Sequence, residues 1–132
     1  MEKLLMLAAI GEGATGLVLL VYPQIATRLF FGTEVTGVGI VMSRIAGIAL
    51  IGLGVGCWTG RNASAFNSTA VRAIFTYSLL VAIYLAYVGI ATRLAGILLW
   101  PAVAAHLGFT VLVVAAWRDD QRRAQAAPRK AA

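Results

Sequence analysis

The sequence predicts an all-α fold, a polytopic membrane protein built as an antiparallel bundle of four transmembrane helices. Three observations carry that expectation. Hydrophobic residues fill 61% of the 132 positions, and the mean hydropathy is +0.87. Four apolar runs, each near the ~20 residues a helix needs to cross hydrocarbon, take up most of the chain. Charged residues make up only 12%, about half the usual share, and gather in the connections and one polar tail. These residues leave no room for a separate soluble catalytic domain. A membrane domain over residues 1–117 and a basic tail over residues 118–132 are expected.

Span one covers about residues 4–22 and closes on Tyr22-Pro23, an interfacial aromatic followed by a helix breaker. Glu12 falls near its midpoint, among Ala8, Ala9, Gly13 and Gly16, small residues that let another helix come close. The acidic residue, the length of the run and the lack of a small-x-small cleavage pattern separate it from a cleaved signal peptide. The next segment, residues 24–32, fits a short helix in the headgroup layer ended by Gly32, or a loop anchored by Phe30 and Phe31.

Span two covers about residues 38–58 and carries Arg44. Ser43, Gly47, Leu50 and Gly54 fall on one stripe, and Gly52 with Gly56 marks a second close-approach surface. A polar turn over residues 60–68 leads to span three, about residues 69–90, where Arg72 lies near enough to the end to snorkel. Tyr77, Leu80, Tyr84 and Tyr87 recur there at helical spacing. Span four covers about residues 96–117, with Pro101 expected to kink its first turns and His106 near its middle.

The basic residues set the orientation. Lys3, Arg61, Arg72, Arg118, Arg122, Arg123, Arg129 and Lys130 fall on one side of the membrane, and Arg28 and Arg93 on the other. The positive-inside rule then puts both termini in the cytoplasm of a bacterial inner (plasma) membrane, with anionic lipid at the cytoplasmic face as the partner of those charges. The net charge of +6 therefore calls for no nucleic acid, and no basic face or stacking platform accompanies it. The small-residue faces are compatible with a homo-oligomer or a partner membrane subunit.

Helical rise places Glu12 and His106 roughly 13–15 Å below the outer ends of their spans and Arg44 roughly 9 Å below its own. Tyr84 lies near the depth of Arg44, and Tyr77 lies deeper. A charge in mid-membrane costs about 2.5–3.5 kcal/mol on insertion scales and needs a partner, a proton or a cavity. One reading is a buried Glu12–Arg44 ion pair that fixes helix order. The other is an outward-opening pocket lined by Glu12, Arg44, His106, Tyr84 and Tyr77, for a proton, a quinone or a small lipophilic ligand. One cysteine and one histidine supply no metal site, no cofactor fingerprint is present, and no catalytic set points to an enzyme.

A Glu in span one followed by Gly-x-x-Gly-Leu, the run Arg44-Ile45-Ala46-Gly47-Ile48-Ala49-Leu50, and the late apolar helix resemble small bacterial four-helix membrane proteins of the DoxX-like kind and their functionally undescribed relatives. That resemblance implies an antiparallel four-helix fold and, since some of that group accompany quinone-linked oxidoreductases, an accessory or lipophilic-ligand-binding role. No redox cysteine pair accompanies the layout here. The chain is also similar in size to small multidrug-resistance transporters, in which a Glu in helix one exchanges protons for cationic drugs. Glu12 matches that residue, while Arg44, His106 and the basic tail depart from the pattern, and a cation pocket carrying its own arginine is electrostatically awkward. The orientation is checked by cysteine labelling in a Cys57→Ser background. A cysteine at Ala131 should react with an impermeant thiol reagent only in opened cells, and one at Thr33 should react in intact spheroplasts.

Overall fold

The computed structural model describes residues 2–62 and 69–126. It is all-α: α1 (Glu2–Val21), α2 (Pro23–Phe31), α3 (Val38–Thr59), α4 (Thr69–Ala91) and α5 (Leu99–Ala126). Four of them, α1, α3, α4 and the Leu99–Arg123 stretch of α5, are long and apolar enough to cross a membrane. The chain is thus a small polytopic helical membrane protein with a short helix after the first span. Part of the expected polar turn after Gly60, and the tail charges Arg129 and Lys130, lie outside the described residues.

The bundle is two helix pairs rather than an even square. α1 packs along α3, and α4 packs along α5, while contact between the pairs is sparse and α5 meets only α4 and the short α2 to any extent. Glycine makes the first pair close. A Cβ added to Gly47 would stand 2.6 Å from the Gly16 carbonyl oxygen, and one on Gly54 would stand 2.9 Å from that of Ala9. In a membrane, where lipid tails are as apolar as leucine, such backbone proximity is a main source of helix association. Gly52 and Gly56, by contrast, meet nothing within 4 Å, so the second glycine spacing makes no close approach among the described residues.

One apolar cluster ties the two pairs together, and a second joins α4, α5 and the short α2. Toward the Glu2 end, Leu5 and Ala9 of α1 pack with Cys57 of α3, Val71 and Ile74 of α4 and Val113 of α5. At the other end Leu85 and Val88 of α4 pack with Leu99 and Val103 of α5, and Phe31 of α2 joins them. Between the clusters the two pairs stand apart.

The short helix resolves the choice left open at residues 24–32. Tyr22 breaks from α1, Pro23 takes the first turn where its missing N–H costs nothing, and Gly32 ends α2 in the left-handed conformation with φ 73° and its N–H on the Arg28 carbonyl. The strand of chain before α5 clasps this helix end: the Gly96 N–H donates to the Phe30 carbonyl at 2.9 Å and the Leu98 N–H to that of Leu29 at 2.9 Å. A side chain at Gly96 would overlap the Leu29 carbonyl. The clasp also delays α5 to Leu99, which puts Pro101 inside the first helical turn. No intrahelical bond is lost there, so the expected kink has no cause.

Ile-Ala-Thr-Arg-Leu occurs twice, at residues 25–29 and 90–94, and the structure brings both copies to this end. The threonine does the same work in each. Thr27 Oγ1 donates to the Gln24 carbonyl at 3.2 Å and accepts the Val35 N–H at 3.3 Å. Thr92 Oγ1 donates to the Val88 carbonyl at 2.7 Å and accepts the Leu94 N–H at 3.1 Å. Thr92 does this where α4 ends, and Thr27 does it from inside α2, tying the chain beyond Gly32 back to the helix. Gly47→Ala is expected to destabilise the protein by about 1–3 kcal/mol through overpacking against α1. Gly52→Ala should be neutral, and thermal unfolding in a mild detergent compares the two.

Candidate functional site

The gap between the two pairs is a cavity of about 910 Å³ that reaches all five helices. Ala8, Gly11 and Thr15 bound it on α1, Ser43 and Ala46 on α3, and Tyr77, Ser78 and Leu85 on α4. Phe30 and Phe31 of α2 close one end. The α5 wall is made of small residues, Ala102, Ala105 and Gly108, with His106 and Phe109 between them. The volume exists because this wall projects little side chain into the space where α5 stands off from α1 and α3.

Glu12 is the polar centre. It is only 8% exposed, on the buried face of α1 that also carries Leu5, Ala8 and Gly16. Its carboxyl and the Tyr77 hydroxyl from α4 face each other closely enough to interact. The Tyr77 ring meets the His106 imidazole edge to face, with centroids 5.8 Å apart and an interplanar angle of 76°. Three helices therefore bring one titratable side chain each into a continuous contact. The His106 imidazole makes no hydrogen bond among the described residues and borders the cavity, so its nitrogens are available to an occupant.

The expected partner of Glu12 is elsewhere. Arg44 is exposed and makes no ion pair with Glu12, so the buried Glu12–Arg44 pair does not form. The cause is one step of helix phase. The glycines Gly47 and Gly54 turn the meridian shared with Ser43 toward α1 and the cavity, and the adjacent residue is rotated about 100° from it. Among the described residues an ion pair forms at the surface instead, Arg28–Glu34, 3.5 Å apart with side chains 72% and 56% exposed.

Tyr84 also leaves the expected layer. It is 63% exposed and lies beside Tyr87, centroids 6.4 Å apart. The buried face of α4 runs through Val71, Ile74, Ser78, Ala82 and Leu85 instead, and of the tyrosine stripe only Tyr77, at the edge of that face, turns inward. Glu12, Tyr77 and His106 are thus brought together, and Arg44 and Tyr84 are not. The cavity walls on α2 and α5 were missed. Phe30 and Phe31 pass for membrane anchors, whereas the run of alanine and glycine along α5 is a readable sign of unfilled space.

Double-mutant cycles separate the two pairings. Glu12→Gln with Tyr77→Phe should show coupling of about 0.5–3 kcal/mol in thermal or denaturant stability, and Glu12→Gln with Arg44→Gln should be additive within about 0.5 kcal/mol. Comparison with protein-family models, curated proteins and solved structures finds no match. The likeness to DoxX-like proteins is accordingly one of layout, that of a small all-α protein with four candidate membrane-spanning helices.

Proposed function

We propose that this protein binds a lipophilic small molecule in the interhelical cavity, as a non-catalytic ligand carrier or accessory membrane component. The observation that carries this is a largely apolar space of about 910 Å³ with a cluster of titratable side chains, Glu12, Tyr77 and His106, on its wall. Ligand pockets span roughly 300–1,000 Å³ and combine apolar walls with a few convergent polar groups that fix orientation. A molecule with a hydrocarbon body and one polar end suits both parts. A quinone is such a molecule: its ring and tail would occupy the space beside Phe30, Phe31 and Phe109, with its oxygens near Tyr77 and His106. That would agree with service to a quinone-linked oxidoreductase. In the orientation given by the basic residues, α2 lies at the outer face of the inner membrane and both termini are cytoplasmic.

A second reading gains from the position of Arg44. No lysine or arginine lines the cavity, so the electrostatic objection to a cationic occupant beside Glu12 is gone. Proton-coupled transport of a lipophilic cation is then open to this fold. It would show as a pH change inside proteoliposomes on adding a cationic substrate, abolished by Glu12→Gln.

For the main reading, the protein purified in mild detergent should carry a lipophilic molecule identifiable by mass spectrometry at about one per chain. Gly11→Phe and Gly108→Phe, which project rings where a Cβ meets nothing within 4 Å, should release it without loss of helicity. Occupancy unchanged in both variants would overturn it.

A further inference from the structure

We propose that Arg44 is the phosphate-binding residue of a phospholipid site on the lipid-facing flank of α3, apart from the cavity. Arg44 stands six residues into a helix that begins at Val38, roughly 9 Å along its axis. Around it Val41, Ile45 and Ile48 are 53%, 52% and 59% exposed. This surface is hydrocarbon-facing, and it carries one permanent positive charge, since a guanidinium does not give up its proton in a protein.

Among the described residues no carboxyl pairs with that charge. The chain's five acidic residues are Glu2, Glu12, Glu34, Asp119 and Asp120. Glu12 is buried beside Tyr77, and Glu34 is held by Arg28. Glu2 opens α1, and Asp119 and Asp120 lie in the last turns of α5, toward the opposite end of the bundle from the start of α3. A second copy in the same orientation is no better supplied at this depth. A lipid phosphate is the anion that a membrane provides there: the guanidinium fork matches it bidentately, and the three-carbon stem reaches toward the headgroup layer along the helix. Val41, Ile45 and Ile48 offer the acyl chains an apolar track on the same flank. Free phosphate is excluded by depth, because the flank is reached only through hydrocarbon.

The full chain purified in mild detergent and examined by native mass spectrometry tests the site. Wild type should retain one glycerophospholipid, and after delipidation should take up phosphatidylglycerol in preference to a diacylglycerol with the same acyl chains. Arg44→Gln should lower retention at least about tenfold, Arg44→Lys should restore part of it as a point charge, and Arg93→Gln should leave it unchanged. Equal uptake of phosphatidylglycerol and diacylglycerol by the wild type would overturn the assignment without reference to any variant. So would undiminished retention in Arg44→Gln, or a change of oligomeric mass in that variant in place of lipid loss.

Discussion

The backbone approach of Gly16 to Gly47 is the constraint from which the rest follows. Because no side chain intervenes, α1 and α3 lie against each other as a unit, and α4 with α5 forms a second unit. Lipid offers helices no hydrophobic reason to close further, so the pairs touch at one small apolar cluster and remain apart elsewhere. The gap is then a property of the packing rather than a flaw in it. It also fixes which face of α1 Glu12 occupies, and with that the helix from which its partner must come.

That partner is a phenol and not an arginine. A salt bridge in hydrocarbon requires two desolvations to be offset by one geometry, whereas a Tyr–carboxyl contact desolvates a single acidic group. The arrangement leaves the carboxyl accessible from an apolar space and places an imidazole behind the phenol. α2 closes one end of that space, held by the clasp between its last turn and the segment before α5. The paired Ile-Ala-Thr-Arg-Leu segments show the same five residues used inside one helix and at the end of another, with the threonine hydroxyl both donating to and accepting from the backbone each time.

Most of the architecture was legible in the sequence because it depends on length and polarity. The four spans, the break at Tyr22-Pro23 and the stop at Gly32 follow from hydropathy and backbone chemistry alone. The stripe through Ser43, Gly47, Leu50 and Gly54 was also readable, and taken at its word it already turned Arg44 aside. What misled was charge complementarity at similar depth, which ignores the rotation of a single residue. Tyr77 could not be told from Tyr84 by spacing, since the difference arises from where α4 meets α5. Pro101 was misplaced by three residues of helix start, which a backbone clasp sets and hydropathy does not.

Two hairpin-like units that meet only sparsely have a bearing on biogenesis. The ribosome delivers α1 and α3 before α4 exists, so Glu12 enters the bilayer with neither phenol nor imidazole beside it. The polar layer is completed only when the later half docks. Membrane insertion and completion of the site are thus separate events in the life of the chain.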